Sequence, residues 1–376
     1  MGLTANLPRL KPASGELLHL DLMRFVASAG IVFHHSHEFF VPAGRNPFTV
    51  REQTAGLALF VDLFFVISGF VIAYIYSERM HSLRDYGVFL QRRAARLVPL
   101  HWLTLLASIA VWSLFVRLHC AGEHTPSFRP KCIAETALLV HSFLFCGRPF
   151  NGVTWSLSAE MVMYIAFPLF AFVGAKSARL LIGLALVCLP TAVALAAYQN
   201  EWNWLSASWI DLPPVARAVP SFAFGAALFY NRERVRELPA SGSLLAAATA
   251  GLLAAMIFGL PQLITLLLVY AVAIAATGAD LKCRAPSAFV RRFAPLGQLT
   301  YSVYMWHLIF ILILINAFGE KFLHGNLFAA AMAAAVCYIG ILAVSYFSFF
   351  FIETPARRWL DGVTLFKPAL TNAIPL

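Results

Sequence analysis

Charge is scarce in this chain: only 12% of its 376 residues are Asp, Glu, Lys or Arg, against 60% apolar, and the mean hydropathy is +0.75. A soluble domain carries about a quarter charged residues, so a water-soluble globular fold is excluded and an integral membrane protein is indicated. Acidic residues are the scarcer sign, with 18 Asp and Glu against 28 Lys and Arg and a net charge of +10. No repeat, low-complexity tract or linker divides the chain, which predicts a single domain over residues 1–376. No set of carboxylates or thiols accompanies His34 and His37, so a metal site is not expected. The first apolar segment lacks a small-residue cleavage site and carries Asp21 and Arg24; it is expected to be a retained helix rather than a signal peptide.

What the chain has in quantity is long apolar stretches. A spanning helix needs about 20 mostly apolar residues, and such windows fall near 18–40, 56–77, 96–117, 154–173, 179–198, 215–230, 242–258, 261–279, 297–317 and 327–350. The expected fold is therefore an all-α polytopic membrane protein with about ten transmembrane helices. A further segment, 133–145, is too short to span. Lys and Arg are retained on the cytoplasmic side during insertion. Most of them lie at Arg9 and Lys11, between Arg79 and Arg96, at Lys176 and Arg179, at Arg232, Arg234 and Arg236, between Lys282 and Arg292, and at Arg357, Arg358 and Lys367. These groups share one face only if 133–145 does not cross, which predicts both termini inside. The positive charge then reflects topology, and no nucleic-acid partner is needed to explain it. Cys120, Cys132 and Cys146 fall on the outer side, where an oxidising compartment permits a disulfide; an odd number leaves the pairing open.

The first window, LDLMRFVASAGIVFHHSHEFF, carries an unusual polar load. Arg24 and His35 are eleven positions apart, roughly 20° around an α-helix and roughly 16 Å along it, so they share a face. Asp21 lies one turn before Arg24, within pairing reach. Ionisable groups at membrane depth mark functional sites by default, although Asp21 and Arg24 also suit a cytoplasmic anchor.

The run LDLMRFVASAGIVFH resembles the first-helix signature of the membrane acyltransferase 3 family, bacterial enzymes that O-acylate sugars and related acceptors. Further matches follow in the family's order. VDLFFVISGFVIA (61–73) is similar to its second helix, and QRRAARLVPLHW (91–102) to its RxxR element, with Arg93 and Arg96 in the paired positions. TWSLSAEMVMY (154–164) resembles its WSLxxE segment, LGQLTYSVYMWHLIF (296–310) its late Tyr/Trp/His helix, and FIETPARRW (351–359) its closing element. Leu22 and Phe25 replace glycines that many members carry beside the first-helix arginine, a change in packing more than in chemistry. The short stand-alone form, without an added extracytoplasmic domain, is expected.

The resemblance implies an acyl-CoA-dependent O-acyltransferase, with acetyl-CoA as donor and a glycan acceptor, in the bacterial inner membrane. Such chemistry needs a base for the acceptor hydroxyl, and a neutral imidazole suits it. The resemblance implies His35; spacing alone does not separate it from His34. A covalent acyl-enzyme relay is a further route. Coenzyme A is a polyanion, and Arg92, Arg93 and Arg96 offer guanidinium groups at the inner face, with Arg24 deeper in. Positive-inside residues meeting anionic lipid account for the same arginines. Glu160 is placed to orient His35 or to meet sugar hydroxyls, and Trp155 to stack on a pyranose; an interfacial tryptophan and a structural acceptor are the plainer readings. Tyr301, Tyr304 and His307 are candidates to line a substrate cavity or to hydrogen-bond within the bundle. Trp202, Trp204, Trp209 and Asp211 sit in an outer loop, at the interface or on glycan. Competing classes are a transporter, since intramembrane Asp, Arg and His also line translocation paths, and a non-catalytic component of polysaccharide assembly machinery.

Overall fold

The structure, a computed structural model, describes residues 8, 10, 17–36, 54–118, 125–143, 146, 148–199, 213–239, 242–282, 286–314 and 326–363, with every regular element helical. His37, Cys120, Trp202, Trp204, Trp209 and Asp211 lie outside the described residues, as do Arg9, Lys11 and Lys367. The helices are α1 (Leu18–His35), α2 (Phe60–Tyr76), α3 (Leu83–Arg117), α4 (Pro130–Ala137), α5 (Thr154–Lys176), α6 (Ala178–Gln199), α7 (Pro214–Tyr230), α8 (Arg232–Glu237), α9 (Gly242–Ile257), α10 (Gln262–Leu281), α11 (Ala288–Phe293), α12 (Thr300–Leu314), α13 (Leu327–Ser348) and α14 (Thr354–Gly362). Each of the ten apolar windows holds a helix. Six helical stretches among the described residues are long and apolar enough to cross a membrane.

Helix α2 is apolar on every face apart from Asp62 and Ser68 and is buried along nearly its whole length, as a helix at the centre of a bundle must be. Its neighbour is α7, and the two touch backbone to backbone. A Cβ on Gly69 would lie 2.2 Å from the Phe222 carbonyl oxygen, and one on Gly225 would lie 1.9 Å from that of Val66. Small residues permit this approach, the usual device of membrane helix pairs. Outward positions are apolar as well: Leu106, Leu169, Phe172, Leu186, Val336, Ile339 and Phe347 are all exposed. A belt of this kind faces lipid, not water.

Helix ends are satisfied by identifiable groups. Ser82 and Asn326 accept from the amides of Asp85 and Ala329 and so cap α3 and α13. Leu17, before α1, offers no capping side chain. Asp280, at the end of α10, does that work instead, accepting from the His19 and Leu20 amides at 2.9 and 3.0 Å and from His19 Nδ1 at 2.7 Å. A carboxylate at a helix N-terminus satisfies orphan donors and meets the positive end of the dipole.

Contacts between distant segments show which ends lie together. Arg232 pairs with Glu78 at 3.4 Å, Arg236 donates to the Leu281 carbonyl at 3.0 Å, and Gln91 donates to that of Leu360 at 2.9 Å. Among the described residues, the basic connections after α2, α7 and α10 and the α14 segment thus gather at one end of the bundle, together with the start of α1, which Asp280 holds. At the other end Trp112 donates to the Phe150 carbonyl at 3.0 Å, so α3 ends on the side where α5 begins. Between them α4 has eight residues, about 12 Å of helix, against a hydrocarbon core of about 30 Å. It is fastened to α3 by His101 and Trp102, which donate to the Thr136 and Ala137 carbonyls, and to residue 146 by a Cys132–Cys146 disulfide. That disulfide takes up two of the three cysteines expected on the outer side.

Candidate active site

Five helices, α1, α2, α3, α5 and α12, surround a cavity of about 100 Å³. Three arginines reach its wall. Arg24, from α1, donates through Nη1 to Asp21 Oδ1 at 2.9 Å, one helical turn back. Backbone packing holds that turn in place: a Cβ on Gly297 would lie 2.5 Å from the Asp21 carbonyl oxygen. Arg93, from α3, is buried; it donates to the Tyr76 hydroxyl at 3.1 Å, and its guanidinium lies 5.2 Å from the Tyr76 ring centroid and 6.0 Å from that of Tyr164. Arg96, one turn further along α3, lines the cavity with no hydrogen-bond or ion-pair partner among the described residues.

Glu160 faces these cations from α5. Its Oε1 accepts from Ser68 Oγ at 2.8 Å and from the Tyr164 hydroxyl at 2.5 Å, so two hydroxyls orient the carboxylate. Tyr301 and Tyr304 complete the wall from α12. The Tyr301 hydroxyl donates to the Leu97 carbonyl at 2.6 Å, while the Tyr304 hydroxyl meets Ser156 Oγ at 2.8 Å and donates to the Val153 carbonyl at 3.3 Å. With three guanidinium groups and one carboxylate on its wall, the cavity is electropositive and suited to an anion.

Beyond Tyr304 lie the histidines. His307 is wholly buried, its ring centroid 5.6 Å from that of Tyr304. Its Nδ1 lies 2.7 Å from the Tyr304 carbonyl oxygen and its Nε2 3.1 Å from His35 Nδ1. His35 Nδ1 is also 3.1 Å from the Ile31 carbonyl oxygen. His34 lies edge-on to His35, ring centroids 4.9 Å apart, with its Nδ1 3.2 Å from Thr54 Oγ1. The two histidines that spacing left equivalent are therefore separated by their partners.

The structure thus brings Asp21, Arg24, Arg93, Arg96, Glu160, Tyr301 and Tyr304 together around one cavity and its rim. His35 is not on the cavity wall; it lies against His307, whose ring in turn neighbours that of Tyr304. Arg92 is half-buried and does not line the cavity. Trp155 is engaged within the protein, edge-on to Phe65 and with the Arg217 guanidinium 4.8 Å from its ring centroid. Sequence reasoning passed over Arg217 and its partner Asp62, which form a 2.6 Å ion pair with both side chains at 1% exposure or less. The signal was an intramembrane carboxylate within the quoted second-helix run. It also passed over Glu353, which accepts from Ser302 Oγ at 2.9 Å on a π-turn, Phe349–Glu353, a feature frequent at functional sites.

A family model described as an acyltransferase domain matches residues 17–349. Protein 2 in the picA locus of Rhizobium radiobacter is 37% identical over 159 residues, 38% of this chain and 76% of that protein. Acyltransferase MdmB of Streptomyces mycarofaciens is 29% identical over 166 residues, 43% of this chain but only 40% of its own length. The exopolysaccharide production protein ExoZ of Rhizobium meliloti (strain 1021) is 25% identical over 319 residues, 79% of this chain and 89% of ExoZ. No solved structure matches the chain.

Proposed function

This chain belongs to the acyltransferase-domain family, and from that premise we propose that it transfers an acetyl group from cytoplasmic acetyl-CoA to a hydroxyl of an exported or envelope glycan. The observation that carries the reading is the convergence of Arg24, Arg93 and Arg96 on one cavity opposite Glu160. The donor's phosphates are anions that guanidinium groups bind in bidentate fashion, and Arg96 makes no hydrogen bond or ion pair among the described residues that a phosphate would have to displace. The acceptor class follows from ExoZ, whose name ties it to exopolysaccharide production. About ten crossings of the inner membrane, with both termini in the cytoplasm, place the arginine end of the bundle on the donor's side and His35 towards the acceptor.

In the reaction, the acceptor oxygen attacks the thioester carbonyl carbon while His35 takes the hydroxyl proton. The carbon–sulfur bond breaks, and the proton passes to the departing thiolate. Neutral imidazole is matched to that task because its ordinary pKa lies near ambient pH. The arginines and the Tyr304 end of the cavity hold and direct the donor.

The test is label transfer from acetyl-CoA to a candidate glycan by the purified protein in lipid. Transfer is expected to vanish in His35→Ala and to survive in His34→Ala. Equal activity in the two variants removes His35 as the base, and a wild-type protein that moves label to none of the envelope glycans offered removes the glycan acceptor.

A further inference from the structure

The polar contacts around His307 fix where protons sit on two rings. A carbonyl oxygen only accepts, so His307 Nδ1, 2.7 Å from the Tyr304 carbonyl, carries a hydrogen. Its Nε2 is then the lone-pair nitrogen of the neutral ring. That nitrogen lies 3.1 Å from His35 Nδ1. His35 Nδ1 in turn faces the Ile31 carbonyl at 3.1 Å and must also carry a hydrogen, which it shares between that carbonyl and His307 Nε2. Both carbonyl contacts therefore demand the same arrangement, a one-way relay from His35 through His307 to the backbone of Tyr304. In this tautomer the proton-accepting nitrogen of His35 is Nε2.

We infer that His307 is a positioning residue, which selects the tautomer and ring orientation of His35 and stabilises the imidazolium formed when His35 takes the acceptor's proton. This inference rests on the reading of His35 as the base. The logic is that of a buried group that holds a catalytic imidazole by its far nitrogen, here with a neutral imidazole in place of a carboxylate. Burial suits His307 to the role. It is wholly enclosed, so its geometry is set by packing, and both ring nitrogens are engaged within the protein. Its position on α12, one turn after Tyr304 on the cavity wall, ties the base to the chamber that holds the donor.

Two amide substitutions separate the relay from bulk packing. In His307→Asn the shorter amide reaches the Tyr304 carbonyl but not His35, whereas in His307→Gln the longer one presents an oxygen near the position of Nε2. Expected is a kcat about 10–100-fold below wild type in the Asn variant, kcat within a few-fold of wild type in the Gln variant, and an unchanged KM for acetyl-CoA in both. Equal kcat values for Asn and Gln, whether both high or both low, overturn the inference. His35→Ala measured alongside separates the two claims. If it stays active, the base assignment itself has failed; if it is inactive while Asn and Gln are equal, only the role of His307 has failed.

Discussion

Replacing Arg217 with Met leaves the carboxylate of Asp62 inside the bundle without its guanidinium. The two groups are 2.6 Å apart with 1% and 0% of their side chains exposed. At an effective dielectric of about 20 their attraction is about 6 kcal/mol, part of which is cancelled by the cost of desolvating both charges. Measured losses on breaking such a buried pair are about 3–5 kcal/mol, and the contact of Arg217 with the Trp155 ring adds about 1 kcal/mol. Removing both charges is a different perturbation, because an apolar pair of similar volume leaves no buried ion behind. Arg217→Met, Asp62→Val and the double variant form a cycle that reversible denaturation in mixed micelles can measure. Each single change is expected to destabilise by about 3–5 kcal/mol and the double variant by less than about 2 kcal/mol, a coupling energy of several kcal/mol. Losses that are additive to within about 0.5 kcal/mol would refute the reasoning.

Other consequences are equally concrete. Gly225→Ala puts a methyl 1.9 Å from the Val66 carbonyl oxygen and should cost about 1–3 kcal/mol by forcing α2 and α7 apart; Gly183→Ala, with nothing within 4 Å of the new Cβ, should be neutral or stabilising by up to about 1 kcal/mol, and thermal unfolding in detergent distinguishes them. Asp280→Ala leaves the His19 and Leu20 amides uncapped, an expected loss of about 1–2 kcal/mol, seen as faster hydrogen exchange confined to the first turn of α1. Cys132→Ser opens a loop of 14-residue separation and should lower stability by about 2–4 kcal/mol, a loss that reductant reproduces in the wild type and does not deepen in the variant.

Much of the helical layout was legible because hydropathy and span length report on the same physical constraint. The window 56–77 became Ala55–Leu59 and Phe60–Tyr76, and 154–173 became Thr154–Lys176. The start of α3 was missed: hydropathy marks where lipid begins, but the helix starts at Leu83 and carries the basic residues out of the apolar zone. Within one helix, spacing sufficed. Asp21 and Arg24 pair as their one-turn separation implied, and Arg93 and Arg96 share a cavity wall. Between helices, no local pattern exists to read. Asp62 and Arg217 are 155 positions apart, and His35 and His307 are 272 apart, so their pairing depends on packing that no short window encodes. For the same reason the shared face of Arg24 and His35 did not reveal that Arg24 lines the cavity while His35 packs against His307 instead.

The central claim, that the arginine-lined cavity is the donor site, is tested most directly by the equilibrium dissociation constant of acetyl-CoA for wild type, Arg96→Ala and Arg92→Ala. Arg96 lines the cavity with no hydrogen bond or ion pair among the described residues, whereas Arg92, its near neighbour on α3, does not line it. Loss of a charge-assisted contact is worth about 1.5–3 kcal/mol, so Arg96→Ala should weaken binding about 10–100-fold and Arg92→Ala by less than about twofold. Equal weakening in both, or none in either, would contradict the claim.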